Sequence, residues 1–348
     1  MKLREFDYYL PKNFIAQEPV HPRDYSRLMV MNRLSGKISH HYFYEIGKFL
    51  QKGDVLVLND SKVIPARMLG RREGGGKAEI LLLRPDRKNL KNYSWAKNWW
   101  VIGRPGLAKR QIIKFPYGLK SQILKTNGYE RLVKFNCQGE KLKKLIYKIG
   151  QAPVPPYIKT KISTQKLKKQ YQTIYAKHLG SVAAPTAGFH FTPRLIKKLK
   201  SQGVQFKYIT LHVGLGTFQP VKTEKIENHK MLAEWAEIDK KTAADLNRAK
   251  KEKRRIIAVG TTSTRALESM TNAKGVVRPG QKFVDLFIYP GYKFKVIDAL
   301  VTNFHLPKST LLMLVSAFAS KGLIFKAYTQ AIKNKYRFFS FGDAMFIQ

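Results

Sequence analysis

Short apolar runs punctuated by turn residues fill the first half of the chain, whereas the second half alternates strand-length apolar runs with amphipathic stretches of helical length. GDVLVLND, residues 53–60, reads as a buried strand opened by Gly53 and closed by Asn59-Asp60. Pro65 and Gly70 punctuate its exit, and RREGGG (71–76) forms a flexible joint ahead of the apolar AEILLL (78–83). Strand-length segments then recur at 99–102, 111–115 and 131–135, separated by Arg104-Pro105-Gly106 and Asn127-Gly128, and only the stretch near 141–149 reads as helix. This pattern predicts a small all-β module over residues 71–150, ended by the Pro-rich APVPPYI (152–158).

Beyond Ala176 the period lengthens. FTPRLIKKLKSQG (191–203) predicts an amphipathic helix with Thr192 as N-cap, Pro193 in the first turn and Gly203 as the stop. The strand QFKYITLHV follows, and DKKTAADLNRAKKEKRR (239–255) predicts a second helix leading into the strand RIIAVGTT. A third unit runs from VIDALVTNF (296–304) through HLPKS into the helix STLLMLVSAFA (309–319). The expected fold is therefore an α/β (α+β) main domain, discontinuous over 1–70 and 151–348, with a small all-β barrel inserted at 71–150. No repeat of ~20–50 residues is visible.

Composition limits the function classes. At 44% hydrophobic and 12% aromatic, the 348 residues carry enough apolar material for ordered domains. Sixty-five Lys and Arg against 23 Asp and Glu leave a formal net charge of +42, which suits a polyanionic partner and is equally what a Lys-rich solvated surface would give. The single cysteine, Cys137, excludes an intrachain disulfide framework and any Cys-based zinc site. The charged MKLREFDYYL start does not fit a signal peptide, and the apolar stretch 311–319 falls short of the ~18–20 residues that cross a bilayer. A soluble, cytoplasmic chain is expected.

Each unit of the second half carries a polar, Gly-containing segment where a strand ends or a helix begins: GSVAAPTAGFHFT (180–192), TLHVGLGTFQPV (210–221), VGTTSTRALES (259–269) and TNFHLPKSTLL (302–312). Ligands of α/β proteins bind at the carboxyl ends of strands, where the N–H groups of the next helix are unpaired, so these segments suggest one shared site. Thr261, Thr262, Ser263 and Thr264 offer hydroxyls and N–H groups to an anion or a ribose, while Arg265 and Glu268 are spaced for an i,i+3 ion pair. Gly214 and Gly216 permit close backbone approach to a flat ligand, although HVGLGTF lacks the third glycine of a dinucleotide fingerprint and no P-loop occurs. His190, His212, His229 and His305 fall in or beside these polar segments, without HExxH or paired Cys/His spacing, so no metal is expected. Nucleophile-elbow and Cys–His signatures are absent. What remains suits gripping a polar substrate and assisting proton transfer.

Aromatic residues with basic neighbours occur at 336–345, at 287–295 and in the Tyr93/Trp95/Trp99/Trp100 group, as candidate RNA contacts. Core packing is the preferred reading of Phe287, Phe338 and Phe339. The basic faces at Lys197, Lys198, Lys200 and residues 250–255 are the better electrostatic candidates.

In order, IAQEP (15–19), RDYSRL (23–28), GDVLVLNDSKVIPARMLG, VPPYI, YQTIYA (171–176), the four strand-end segments, IYPGY and YRFFSFGDAM resemble the S-adenosylmethionine:tRNA ribosyltransferase-isomerase family of queuosine biosynthesis over nearly the whole chain. The resemblance implies a main α/β domain with an inserted β-barrel, no metal and no resident cofactor. It implies transfer of the ribosyl group of S-adenosylmethionine to the aminomethyl group of a 7-deazaguanine at the tRNA wobble position, giving epoxyqueuosine-tRNA, adenine and methionine.

Such a route needs a base, an acid for adenine and a grip on ribose hydroxyls. His190 or His212 is assigned the proton transfers, with His305 and Thr186 in the catalytic group. Thr261, Thr262, Thr264 and Arg265 are assigned the ribose or the methionine carboxylate. Asn303, with His305, would hold the base or the acceptor, and Gly214, Gly216, His229 and Glu234 complete the expected binding set. The family pattern reads His-Xaa-Met-His-Xaa-Glu where this chain has His229-Lys230-Met231-Leu232-Ala233-Glu234, so either the second histidine is dispensable or activity is impaired. The expected partners are tRNA and S-adenosylmethionine, with no membrane and no obligate protein partner, as a monomer. A noncatalytic RNA-binding protein and a small-molecule transferase are the competing readings.

Overall fold

The computed structural model describes residues 1–86, 95–155, 157–159, 162–214 and 221–348. The first strands, β1 (Arg27–Met31), β2 (Ile38–Tyr42), β3 (Val55–Asn59) and β4 (Ser61–Val63), precede a run of six, β5 (Arg67–Arg72), β6 (Lys77–Pro85), β7 (Asn98–Arg104), β8 (Ile112–Lys114), β9 (Lys120–Asn127) and β10 (Glu130–Phe135). After these come β11 (His178–Ser181), β12 (Gln205–Leu211), β13 (Glu234–Ile238), β14 (Ile256–Val259), β15 (Gly280–Val284), β16 (Ala299–Asn303) and β17 (Ala344–Ile347). The helices are α1 (Gly139–Ile149), α2 (Thr164–Gln170), α3 (Pro193–Ser201), α4 (Lys240–Lys251), α5 (Thr261–Ser269), α6 (Thr310–Ala319) and α7 (Lys321–Lys333).

Among the described residues the main sheet has nine strands in the order β15-β13-β12-β3-β14-β16-β17-β1-β2. Its centre is parallel: β12, β14 and β3 run together, and β16 continues parallel to β14. All five positions of β3, all four of β14 and all five of β16 are buried, as expected of central strands covered on both faces. The chain reverses at β17, which is antiparallel to β16 and parallel to β1. The carboxyl ends of β3, β12, β14 and β16 therefore lie along one edge, at Asn59, Leu211, Val259 and Asn303.

Strands β5 to β10 close into an antiparallel barrel in the order β10-β7-β6-β5-β8-β9, with β9 pairing back to β10. Period-2 alternation fills it: Ala78, Ile80 and Leu82 of β6 and Trp99 and Val101 of β7 are buried with Met68, Ile113, Ile123, Val133 and Phe135. The first barrel strand begins at Arg67, ahead of the Arg71 that opens the RREGGG joint. The Trp95 and Trp99 rings lie 5.7 Å apart and tilted by 32° in this core, so these two of the candidate RNA contacts are packing residues. Trp100 stays half-exposed, its indole N–H donating to Asp86 Oδ1 at 2.9 Å, and Tyr93 lies outside the described residues. Phe338 and Phe339 are buried and Phe287 packs against the main core.

Helix caps follow the sequence. Thr192 Oγ1 accepts from Leu195 N at 3.2 Å and opens α3, with Pro193 in its first turn. Asp239 caps α4 through Thr242 N at 2.7 Å, but α4 stops at Lys251 and not at Arg255, because Lys253 turns into the left-handed region at φ 54° and Arg255 is drawn into an ion pair with Asp54. The apolar stretch 311–319 is the buried helix α6. Among the described residues no single helix is long and apolar enough to cross a membrane.

Candidate functional site

Two cavities meet at the carboxyl edge of the central strands, sharing Val213 in their walls. The smaller, about 40 Å³, is lined by Thr186, Thr261, Thr262, Thr302, Asn303 and His305 among others. The larger, about 430 Å³, lies where the barrel meets the main sheet and is lined by Gly180, His212, Gly214, Leu232, Glu234, Trp235 and Phe283 on one side and Arg84, Ile102, Tyr129 and Glu130 on the other.

The sequence builds the small cavity at two strand ends. Strand β14 turns sharply at Gly260, whose φ of 90° favours glycine, and α5 begins at once, leaving its first N–H groups at the strand end. Ser263 and Thr264 turn their hydroxyls back onto Val259 O at 2.8 Å and Gly260 O at 3.2 Å. Thr262 Oγ1 is buried and has no hydrogen-bond partner among the described residues, which leaves its hydroxyl for a ligand. Thr264 is thus absorbed by the helix, whereas Thr261 and Thr262 face the cavity.

Asn303 closes β16 and centres a buried chain of polar groups. Thr186 donates its hydroxyl to Asn303 Oδ1 at 3.1 Å, Asn303 Nδ2 stands 3.1 Å from His190 Nε2, and His190 Nδ1 stands 2.6 Å from Ser26 Oγ. With its Oδ1 occupied by Thr186, Asn303 donates to His190 Nε2, so the neutral ring carries its proton on Nδ1 and gives it to Ser26. His305 is held on both sides: its ring Nε2 lies 2.9 Å from Thr302 Oγ1, and its backbone N–H donates to the Tyr328 hydroxyl at 2.9 Å.

Burial pushes His190, His212 and His305 down to about 3, so all three rings are neutral at pH 7; Arg23 and Arg337 add to the shift at His190 and His178 at His212. The His212 ring stacks on Trp235 with centroids 4.9 Å apart and an interplanar angle of 17°. A Cβ on Gly180 would meet that ring at 2.7 Å, and φ there is 146°, so glycine is what lets the His212 ring lie where it does.

Arg265 and Glu234 form a buried ion pair, and Glu234 Oε1 also accepts from Gly214 N at 2.7 Å. Arg265 donates further to Leu286 O at 3.0 Å and Val284 O at 3.3 Å. Its guanidinium is thus committed to holding the walls of the large cavity and not to a substrate carboxylate. The expected Arg265–Glu268 pair is replaced by this one: Glu268 instead accepts from the backbone N–H of Lys295 at 2.9 Å, Val296 at 3.1 Å and Ile297 at 3.3 Å. Glu268 is a structural anchor, since buried backbone donors need acceptors. His229 is half-buried against Phe287, 5.3 Å between centroids, and lines neither cavity; Gly216 lies outside the described residues.

Sequence reading missed Ser26, Thr302, Trp235 and Tyr328. Ser26 sits in the recognisable RDYSRL segment, but its contact with His190 spans the fold, and no local pattern signals it.

The wider comparisons agree with this architecture. Residues 3–347 match the sequence model of a family described as queuosine biosynthesis protein. The chain is 51% identical over 350 residues to the S-adenosylmethionine:tRNA ribosyltransferase-isomerase of Carboxydothermus hydrogenoformans, covering 100% of both chains. It is also 51% identical to that of a Thermoanaerobacter species, again over 100% of both. The crystal structure of S-adenosylmethionine tRNA ribosyltransferase from Thermotoga maritima aligns with a TM-score of 0.55 at 39% identity, covering 99% of this chain and 100% of that one.

Proposed function

Because the chain belongs to the queuosine biosynthesis family, we propose that it is an S-adenosylmethionine:tRNA ribosyltransferase-isomerase working at the paired cavities. It transfers the ribosyl group of S-adenosylmethionine to 7-aminomethyl-7-deazaguanine at the tRNA wobble position and isomerises it, releasing adenine and methionine. S-adenosylmethionine is consumed as co-substrate, and the reading uses no metal or resident cofactor. It is a soluble, cytoplasmic activity of a monomer.

The observation that carries this reading is the pair of cavities sharing Val213, one small and rich in hydroxyl and amide groups, the other wide and floored by a flat aromatic stack. The small cavity, at about 40 Å³, does not enclose a whole sugar, but the hydroxyls of Thr186, Thr261 and Thr262 with Asn303 suit the hydroxyl edge of a ribose entering from the wide cavity. The His212–Trp235 stack suits a planar base. Proton removal beside a sulfonium needs an unprotonated base, and a ring held neutral at pH 7 carries a nitrogen lone pair for it. His212, which lines the wide cavity, takes the proton-transfer role. His190, with both nitrogens engaged, positions Asn303, and His305 holds the far wall of the small cavity.

Incubation with S-adenosylmethionine and tRNA bearing the aminomethyl-deazaguanine tests the reading. Adenine release that depends on that tRNA is expected. Tight tRNA binding without turnover would favour a noncatalytic RNA binder, and turnover on the free nucleoside would favour a small-molecule transferase.

A further inference from the structure

The barrel carries a third cavity, about 930 Å³, whose walls include Arg71, Arg72, Lys77, Arg104 and Lys114 over a floor of Ala78 and Phe115. Strand register sets three of these cations in a row, with Arg71 opposite Lys77 on β6 and opposite Lys114 on β8. Like charges directly opposite one another on adjacent strands destabilise a sheet. Lys77, Arg71, Arg72, Arg104 and Lys114 form no ion pair among the described residues; of the two carboxylates in the wall, Glu79 is held by Arg67 at 2.8 Å. The basic stretch at 250–255 is different: Arg254 pairs with Glu252, Arg255 pairs with Asp54, and Lys250 donates to Gly275 O at 3.2 Å, so much of its charge already has partners.

Position adds a second argument. Ile102 of β7 lines the wide cavity and Arg104, two residues on and on the same face of the strand, lines the groove, a separation of about 7 Å. The cationic row Lys77–Arg71–Lys114 crosses two strand spacings, about 10 Å. We propose that this barrel groove holds the RNA backbone beside the nucleotide that enters the wide cavity, the phosphates lying along Lys77, Arg71 and Lys114. The proposal rests on the function given above and locates its RNA contact. A concave groove fits a single strand of phosphates better than a flat lipid surface, and an anion there relieves the repulsion built into the row.

The test is the triple variant Arg71→Gln/Lys77→Gln/Lys114→Gln, assayed for tRNA affinity by fluorescence anisotropy from 50 to 300 mM salt, with its melting temperature. Dissociation constants weakened by about 10- to 100-fold at 150 mM salt are expected, with the slope of log affinity against log salt shallower by about 2, near 0.7 for each lost contact. The melting temperature should hold or rise, because like charges have been removed. Unchanged affinity and slope in the triple variant would overturn the proposal. So would a greater loss in Lys197→Gln/Lys198→Gln/Lys200→Gln, which would move the docking surface to α3. Since binding is read without turnover, a wild-type protein that binds through the groove yet releases no adenine would sink the enzymatic reading and leave the surface standing.

Discussion

The strand-end site and the barrel face divide the electrostatic work between them. At the strand ends the polar groups are hydroxyls, amides and neutral imidazoles, buried and mostly tied to one another, and the Arg265–Glu234 pair in the wall is internally balanced. On the barrel, Lys77, Arg71 and Lys114 are exposed, in register with one another and without an ion pair among the described residues, apart from the Arg67–Glu79 and Arg84–Glu130 pairs of the same barrel. A net charge of +42 therefore says little about where the chemistry sits. It points to the partner, while the reaction is left to groups that carry no charge.

The sharpest way to break this contrast is to unbalance the buried pair. Glu234→Ala should cost about 3–5 kcal/mol by leaving the buried Arg265 guanidinium without its counter-charge, and chemical denaturation would measure it. A cost below about 1 kcal/mol would mean that the pair is solvated. Next in size is Asn303→Ala, which removes a donor from the small cavity and releases His190. Turnover should fall by about 100- to 1000-fold with tRNA affinity unchanged, the loss typical of one site donor. Steady-state kinetics with separate tRNA titration resolves the two.

Acid sensitivity sharpens the neutral side. His190, His212 and His305 sit near 3 in the folded chain against an ordinary 6.5, so between these values the unfolded chain binds protons that the folded chain does not. The stability that these rings supply is complete above pH 6.5 and is lost as pH falls toward 3. Each contributes a slope of about 1.4 kcal/mol per pH unit across that window. Unfolding free energies from pH 7 to 4 should fall accordingly, and His305→Gln should remove one proton's worth of slope. A flat profile would mean that the rings are charged or exposed. The smallest effect is expected at His178→Ala, where a half-exposed ring stands 3.6 Å from Asp60 and contributes under about 1 kcal/mol.

The contrast also marks what the sequence could express. The all-β barrel and the strand-end segments were readable because each is written in local pattern: period-2 burial in β6, a Thr192-Pro193 helix start, and the glycine at position 260 between strand and helix. The cavity-facing roles of Thr262, Asn303 and Thr186 followed from their places at strand and helix ends. Partnerships across the fold were not readable. Arg265 and Glu268 are one helical turn apart, which suggested a pair, yet Arg265 reaches Glu234, 31 positions away, while Glu268 anchors the backbone at 295–297. Ser26 meets His190 from 164 positions away. Local spacing offers possible partners; burial decides which is taken, because a buried ion or N–H group left without a partner is costly. The aromatic group on the barrel misled for the same reason, since Trp95 and Trp99 face inward and neither composition nor neighbours distinguish inside from outside there.

The division of labour is tested most directly by the salt dependence of steady-state kinetics with tRNA as the varied substrate and S-adenosylmethionine saturating. If RNA is held by the barrel's cations and converted among neutral groups, kcat/KM for tRNA falls steeply from 50 to 300 mM salt while kcat stays flat. A kcat that falls in parallel with kcat/KM would place exposed charge in the chemical step and contradict the account.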